Sequence, residues 1–552
     1  MRSAEPDRRG RPTAAAWALA AIVAVAALLR LAFAALPRIV RMDESAYQLI
    51  ARSLLAGQGY SELLGTRDLQ LPPVVAYLSV AGRLLGLSPQ WATAAFAHVL
   101  FGSLLLLPLY GLARRATGSR RTALIATLLA AVHPALAVSP LYWGTMTEPP
   151  YLFFVLAGLY AAWRLAADGG WRWAAALGAA CGLAYLTRPE AMLYLAVGLL
   201  FVLLYRWRPR RSDWAQMGLA VLLFLLTISP YIIYLHRVTG RWMFSGKQGI
   251  SMDIAWAFVN DDQVAHDQVV SSLDATGQEI MWLSTEQYDR TLIGWIREDP
   301  QRFVRQVTTN MRDTLKALFH EDLLTPWLAV LAIIGATARP LTRLRLRREG
   351  FLLLALAPLA SLWAFFVLSR FLAIVTPIVL IWVALGIEHL VGWLEETGRL
   401  LWPGPARRPR RAVERFVYLL PIVVVIAGLL VGGMRVARRA LAVMPFGRAT
   451  VGQWLASLTP AGAAVMMRNS EIALYADLPA VALPDADWPQ VLHYAGTHRA
   501  RYLLVEDTDI RRFRTQLLGL LDPAHPPPGL SFVAEQAIGS RKALLYAFSG
   551  AQ

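Results

Sequence analysis

The sequence predicts a polytopic α-helical membrane protein that ends in a small α/β domain. Hydrophobic residues make up 56% of its 552 residues and charged residues only 16%, a composition too apolar for a soluble protein. Apolar stretches long enough to cross a bilayer as helices recur between residues 14 and 433. Beyond them, strand-length apolar runs at 463–467 and 502–505 alternate with a helical pattern at 488–497.

Basic clusters set the orientation of the predicted helices, because short loops rich in Lys and Arg remain on the cytoplasmic side. The net charge of +17 is therefore attributed to topology, and no nucleic-acid partner is expected. No cleavage pattern precedes Pro37, so the first apolar stretch is interpreted as a retained span. This reasoning gives about eleven spans in an inner (plasma) membrane. The predicted spans are 17–36, 91–112, 121–139, 150–166, 172–187, 190–205, 213–234, 322–337, 350–368, 371–394 and 416–434.

The same reasoning places three long segments on the external, periplasmic side. Residues 37–90 form the first. Its stretch 71–87 is predicted to be a juxtamembrane helix, because it is short and begins with Pro72-Pro73. Residues 235–320 form the second segment, and the α/β domain is the third. The predicted domains are 1–434, transmembrane, and 435–552, external. Function is therefore expected at the external face.

Asp43 and Glu44 are the first acidic candidates. They begin a short amphipathic helix that ends at Gly57 and that we expect to lie flat at the outer mouth of the bundle. A carboxylate in that position, partly buried and so raised in pKa, could act as a general base. The alternative is that Asp43 only caps the helix by accepting backbone N–H groups.

Glu148 lies at the external end of an apolar span, where an ionisable side chain is costly unless it faces a polar cavity. The alternative is a helix-start role, because a negative charge beside Pro149 suits the helix dipole. Together with Asp43 and Glu44, Glu148 leaves room for a divalent cation. No spacing of His, Cys and carboxylate residues indicates a metal site, so none is predicted.

Basic side chains on the external side are the candidates for binding phosphate. Arg188 and Arg370 lie at external turns, against the positive-inside trend, and Arg241 and Lys247 open the second long segment beside glycines. A guanidinium group forks onto phosphate oxygens, which suits a lipid-phosphate headgroup. For Arg188 the alternative is snorkelling to headgroups or pairing with Glu190.

Taken in order, these segments resemble the GT-C class of membrane glycosyltransferases, specifically the group of protein O-mannosyltransferases and lipid A aminoarabinose transferases. The matching motifs are Asp43-Glu44 with Tyr47, Gly59-Tyr60, Pro72-Pro73, Thr147-Glu148-Pro149, Thr187-Arg188-Pro189 and Arg370-Phe371. The resemblance implies a GT-C-like catalytic domain over residues 1–434, with Asp43 as the base that activates the acceptor and Glu148 as a second acid. Leu71 stands where the group often carries a basic residue, so Arg67 or Lys247 is expected to replace it.

The resemblance also implies an activity. The enzyme would transfer a sugar from a polyprenyl-phosphate-linked lipid donor to a hydroxyl of a lipid, glycan or protein acceptor, with inversion. Asp43 would take the proton of the acceptor, and basic side chains would steady the departing phosphate. No cofactor is required in this interpretation. Two alternatives stay open: a lipid or glycan flippase or transporter, for which charges near mid-membrane are typical, and a non-catalytic assembly protein whose C-terminal domain binds a partner.

Overall fold

A computed structural model describes residues 13–289, 291–320, 322–401, 408–539 and 541–549. Within these ranges, seven helices are long and apolar enough to cross a membrane. They are Ala14–Ala34, Pro89–Thr117, Glu148–Asp168, Pro189–Arg206, Arg211–Thr239, Ser369–Thr397 and Leu419–Ala442. The predicted multi-pass helical architecture is confirmed, while the count of about eleven spans stays a prediction.

Four predicted spans correspond to shorter helices. These are Arg120–Val132, Trp171–Tyr185, Pro326–Thr337 and Arg343–Leu354. The structure differs most from the prediction at 350–368, where the α-helix ends at Leu354 and a 3-10 helix, Ala357–Ala364, follows. Pro358 has no backbone N–H to donate to the carbonyl of Leu354, and its ring crowds that carbonyl, which favours a break in the α-helix at this point.

Glycines allow the helices of the bundle to touch through their backbones. A Cβ atom at Gly178 would meet the carbonyl of Ala220 in the helix Arg211–Thr239. At a second crossing, a Cβ at Gly335 would meet the carbonyl of Trp382. Close approach of small residues is the usual way in which membrane helices gain packing energy, since lipid removes the hydrophobic driving force between them.

The predicted external segments contain several shorter helices. The first segment holds Asp43–Leu55 and Pro73–Leu84, so the prediction of a helix within 71–87 is confirmed. Tyr47 and Ile50 of the first helix and Val75 of the second lie in one apolar cluster. The second segment holds Ser251–Val259, Gln263–Ser271, Leu292–Glu298 and Pro300–Leu318, together with a 3-10 turn at Thr285–Asp289.

The C-terminal part is an α/β domain, as predicted. Helix Arg408–Ala442 runs past the predicted boundary at residue 434, and helix Gly447–Leu458 leads into the sheet. The strands are β1 (Val465–Met467), β2 (Ala480–Ala482), β3 (Tyr502–Glu506), β4 (Leu530–Ile538) and β5 (Arg541–Phe548), in the order β2-β1-β3-β5-β4. Strands β2, β1 and β3 are parallel, and β3, β5 and β4 are antiparallel. The helices between the strands are Glu471–Ala476, Trp488–Thr497 and Asp507–Phe513.

The three segments predicted to be external pack on one another. Leu63 of the first segment and Leu283 of the second lie in the apolar core of the α/β domain. The backbone N–H of Leu64 donates to the carbonyl of Ala480 at 2.9 Å, beside the edge strand β2. The loops that carry the candidate residues are therefore held in place by the C-terminal domain.

Candidate active site

Asp43 is the first residue of helix Asp43–Leu55, and its carboxylate is 34% exposed. The residue before it, Met42, occupies the N-cap with φ of 54° and makes no side-chain cap hydrogen bond. The capping role considered for Asp43 is therefore not what the structure shows. Instead, Asp43 Oδ2 lies 3.9 Å from Nη1 of Arg370, a long ion-pair contact that leaves the carboxylate accessible.

Glu44, the neighbouring acid, is completely buried. Its two carboxylate oxygens accept hydrogen bonds of 2.6 and 2.9 Å from the guanidinium of Arg38, which is 1% exposed. Its backbone N–H donates to the carbonyl of Gly144 at 2.9 Å. The catalytic role predicted for Glu44 stays a prediction, and both of its carboxylate oxygens are already engaged by Arg38. This geometry supports a positioning role, in which Glu44 ties the helix to the turn before Glu148.

Glu148 begins helix Glu148–Asp168 and is 1% exposed. Its Oε2 accepts a hydrogen bond of 2.6 Å from the hydroxyl of Thr145, and its Oε1 lies 3.3 Å from Nη1 of Arg188. Arg188 also donates through Nε to Glu190 at 2.6 Å. The pairing considered for Arg188 is thus present, and Glu148 is the partner that orients its guanidinium from the other side.

Phe371 joins the two arginines that the sequence singled out. The guanidinium of Arg188 lies 4.4 Å from the centroid of its ring, and that of Arg370 lies 4.9 Å from it. Cations attracted to one ring are held close to each other despite their repulsion. An unbroken set of contacts therefore runs from Asp43 through Arg370, Phe371 and Arg188 to Glu148.

Lys247 faces the same group of side chains. Burial lowers the pKa of Lys247. The nearby carboxylates of Asp43 and Glu190 act to raise this pKa. The guanidiniums of Arg188 and Arg370 act to lower it further. The side chain is accessible to solvent although many protein atoms surround it. Together, Asp43, Glu148, Arg188, Glu190, Lys247 and Arg370 form what we call the site cluster.

Two glycines place Lys247. A Cβ atom at Gly246 would overlap the carbonyl of Leu69, and one at Gly249 would overlap the carbonyl of Gln287. The hydroxyl of Tyr288 donates to the carbonyl of Gly246 at 2.7 Å. These two glycines let the segment that carries Lys247 approach the protein's own backbone closely.

Asp68 is a buried acid beside the site cluster that the sequence reasoning missed. Its Oδ1 accepts the backbone N–H groups of Gln70 and Leu71 at 3.0 and 2.9 Å, whereas Oδ2 has no hydrogen-bond partner among the described residues. Burial raises the pKa of Asp68 to about 6, although Lys247 lowers it. An isolated aspartate in a loop predicts a turn, but nothing in the sequence indicates its burial.

Arg67 and Arg241 lie apart from these residues. The guanidinium of Arg67 is exposed and donates to the carbonyls of Gln58 at 3.3 Å and Thr66 at 3.0 Å. Arg241 pairs with Asp289 at 2.5 Å and is 49% exposed. No contact in the described part of the chain joins either arginine to the site cluster, and their predicted binding of phosphate stays a prediction.

The predicted room for a divalent cation at residues 43, 44 and 148 finds no support in the geometry. No group of three or more His, Cys, Asp or Glu side chains is placed to share a metal ion within the described ranges. Arg38 and Arg188 instead supply the positive charge beside Glu44 and Glu148. The cation requirement and the catalytic roles stay predictions.

Comparison with known proteins supports the resemblance. The sequence profile of the dolichyl-phosphate-mannose-protein mannosyltransferase family matches residues 38–243. A relative from Pseudomonas paraeruginosa, undecaprenyl phosphate-alpha-4-amino-4-deoxy-L-arabinose arabinosyl transferase, is 31% identical over 213 residues. That alignment covers 37% of this chain and 38% of the relative, so the chain spans about two fifths of the curated relative that it matches.

Two solved structures show the fold. ArnT from Cupriavidus metallidurans, bound to undecaprenyl phosphate, superposes with a TM-score of 0.55 at 16% identity, over 97% of this chain and 98% of that one. The archaeal oligosaccharyltransferase AglB from Archaeoglobus fulgidus, in complex with an inhibitory peptide and a dolichol-phosphate, gives 0.53 at 14% identity, over 97% and 74%. The predicted GT-C-like fold and the resemblance to this group of proteins are confirmed.

Proposed function

We propose that this chain is a membrane glycosyltransferase that moves a sugar from a polyprenyl-phosphate-linked donor to a hydroxyl of a lipid, glycan or protein acceptor. The observation that carries the proposal is the site cluster, in which the accessible carboxylate of Asp43 lies beside the cations Arg188, Lys247 and Arg370. The match to the mannosyltransferase profile and the fold shared with an undecaprenyl-phosphate-bound protein support the same class of donor.

The reaction is a single displacement that inverts the anomeric carbon. The acceptor oxygen forms a bond to that carbon while the bond between the carbon and the phosphate oxygen breaks. Asp43 takes the proton of the acceptor hydroxyl, and the lipid phosphate leaves with the bonding electrons. The carboxylate of Asp43 is 34% exposed and makes only a long contact to Arg370, which suits a base that must meet an incoming substrate.

Phosphate binding is assigned to Arg188, Lys247 and Arg370. Oriented cations beside a departing phosphate stabilise the charge that develops there. Members of the related group often carry a basic residue at the position of Leu71, and here Lys247 takes over its role. Arg67 does not, because it lies outside the site cluster. Glu148 acts through Arg188, since its oxygens are held by that guanidinium and by Thr145. In this proposal the cations make a cofactor or a metal ion unnecessary.

The proposal places the reaction on the external side of the inner membrane. Short basic loops assign residues 37–90, 235–320 and the α/β domain to that side. Contacts among these three parts, such as Leu63 and Leu283 in the core of the domain, support a common location. A lipid-linked donor suits this side, because it carries the sugar through the membrane.

The test uses purified full-length protein in nanodiscs with a panel of undecaprenyl-phosphate-linked sugars. Asp43→Asn should lower turnover about 1,000-fold without changing the unfolding temperature, because amide nitrogen cannot accept the proton. The matched control is Asp477→Asn, whose carboxylate is 86% exposed and pairs with Arg52. Near-normal turnover by Asp43→Asn would remove Asp43 from the mechanism. Failure of the unaltered protein to transfer any sugar of the panel would reject this class of activity.

A further inference from the structure

Helix Pro300–Leu318 in the second long segment buries polar side chains and exposes apolar ones, the reverse of a surface helix on a soluble protein. The side chains that it buries are polar, since Gln306 is 0% and Asn310 is 2% exposed. Its exposed stripe is apolar and contains Val304, Met311 and Leu315, which are 59%, 44% and 63% exposed. These three residues lie on one face, because their spacings of seven and four residues are helical repeats.

A basic stripe runs beside the apolar one. Arg305, Arg312 and Lys316 each follow one residue after an apolar member and are all exposed. A step of one residue turns the helix by about 100°, so the basic stripe borders the apolar stripe along the length of the helix. Asp313 contacts Lys316 at 3.1 Å, which leaves the stripe with an excess of positive charge.

The end of this helix lies level with the end of a membrane-spanning helix. Leu318 packs in one apolar cluster with Leu372 and Val375, at the start of the span Ser369–Thr397. The next apolar helix begins at Pro326, only a short connection beyond Leu318. The C-terminal end of the helix therefore cannot lie far from the bilayer surface, since a chain advances at most about 3.5 Å per residue.

We infer that helix Pro300–Leu318 binds the surface of an anionic phospholipid bilayer. Its apolar stripe enters the boundary between headgroups and acyl chains, and its basic stripe contacts the phosphates of the headgroups. The occupant is a lipid surface rather than a second protein because the exposed face combines apolar and cationic stripes in parallel, which matches a layered surface of acyl chains below anionic groups.

The buried polar face of the same helix holds the chain segment that leads to Arg370. Gln306 Nε2 donates to the carbonyl of Ala364 at 2.7 Å, and Asn310 Nδ2 donates to that of Phe365 at 2.7 Å. Trp363 Nε1 donates to the hydroxyl of Thr314 at 3.2 Å. A helix seated on the membrane surface thereby fixes the height of Arg370 above the bilayer.

The first experiment measures the depth of single fluorescent labels in nanodiscs made of phosphatidylcholine and phosphatidylglycerol. The only cysteine, Cys181, is replaced by alanine, and one cysteine is introduced at Val304, Met311 or Leu315. Quenching by doxyl-labelled lipid should exceed quenching of a control label at Leu518 by about threefold or more. Leu518 is 47% exposed on the C-terminal domain. Equal quenching at all positions would overturn the inference.

The second experiment tests the basic stripe. Arg305, Arg312 and Lys316 are changed together to Glu in the Leu315-labelled protein, and the matched control changes Arg499, Arg501 and Arg511 on the C-terminal domain to Glu. The first variant should lose the increase in lipid quenching that phosphatidylglycerol causes, while the control keeps it. Loss in both variants, or in neither, would contradict the assignment. No substrate is present, so these results are independent of the proposed activity.

Discussion

Two networks of arginine and carboxylate side chains in this chain differ in how completely their charges are paired. The first is the site cluster. The second, which we call the domain network, consists of Asp267, Arg468, Glu506, Asp509 and Arg514 at the ends of β1 and β3. In the domain network, Arg514 is 0% exposed, pairs with Asp267 and donates to the carbonyls of Pro484 and Leu483 at 3.1 and 3.2 Å.

The site cluster is looser around Arg370 and Lys247, although its Arg188 is paired with Glu148 and Glu190. Arg370 lies 3.9 Å from Asp43, and Lys247 is exposed to solvent while four other charged groups surround it. In the domain network, by contrast, Arg468 contacts both Asp267 at 2.7 Å and Asp509 at 3.3 Å. A charge whose partners are all in place stabilises the fold, whereas a cation with distant partners remains able to bind a ligand.

The domain network lies at the edge of the sheet where parallel sheets commonly bind ligands. Parallel sheets bind ligands at the carboxyl ends of their strands where the chain order reverses, which here is between β1 and β3. That crevice is lined by Arg468, Glu506, Asp509 and Arg514. Asp267 lies in helix Gln263–Ser271 of the second long segment, so the domain uses this edge of its sheet to bind that helix.

The largest expected effect concerns Glu44, because both of its carboxylate oxygens are paired with the buried Arg38. Glu44→Gln should lower the free energy of unfolding by about 4 kcal/mol, since it leaves Arg38 buried without a counter-charge. Denaturant unfolding of the purified protein measures this, with Glu535→Gln as an exposed control. Unchanged stability together with a large loss of turnover would instead support the predicted catalytic role of Glu44.

Arg514→Met tests the domain network. We expect a loss of about 3 kcal/mol in unfolding free energy, because Asp267 retains only Arg468 as a partner. Turnover per folded molecule should change less than about twofold, since no substrate contact is assigned to this network. Arg511→Met, an exposed neighbour, is the control. A specific loss of turnover in Arg514→Met would show that the two networks are not separable.

Asp68 links stability to pH. Its pKa is raised from 3.8 to about 6, so between these values the folded chain binds more protons than the unfolded chain. Stability should therefore fall as the pH rises, by about 2 kcal/mol between about pH 4.5 and about pH 7 from this group. Subtracting the profile of Asp68→Asn from that of the unaltered protein isolates this contribution. Parallel profiles would mean that Asp68 titrates normally.

The smallest expected effect separates two basic residues that the sequence ranked together. Lys247→Met should raise the KM for the lipid donor about tenfold, because one hydrogen bond to a charged phosphate is lost. Arg67→Met should change it less than about twofold, since Arg67 contacts only backbone carbonyls at an exposed position. Equal effects of the two substitutions would contradict the boundary of the site cluster.

Much of the fold was predictable because membrane spans depend on local composition. Long apolar runs predicted the helices that cross the membrane, and Pro72-Pro73 marked the start of the helix Pro73–Leu84. The span predicted at 350–368 was wrong as a single helix, because Pro358 interrupts it. Composition predicts that a segment is apolar, but hydrogen bonding of the backbone decides how long its helix is.

The sequence by itself determined the multi-pass helical class, the α/β tail and the candidates Asp43, Arg188, Lys247 and Arg370. Only the tertiary structure showed that Glu44 is held by Arg38, that Arg67 and Arg241 lie outside the site cluster, and that Asp68 is buried beside Lys247. The physical reason is that apolarity and charge type belong to single residues, whereas pairing and desolvation depend on neighbours that only the folded chain brings together.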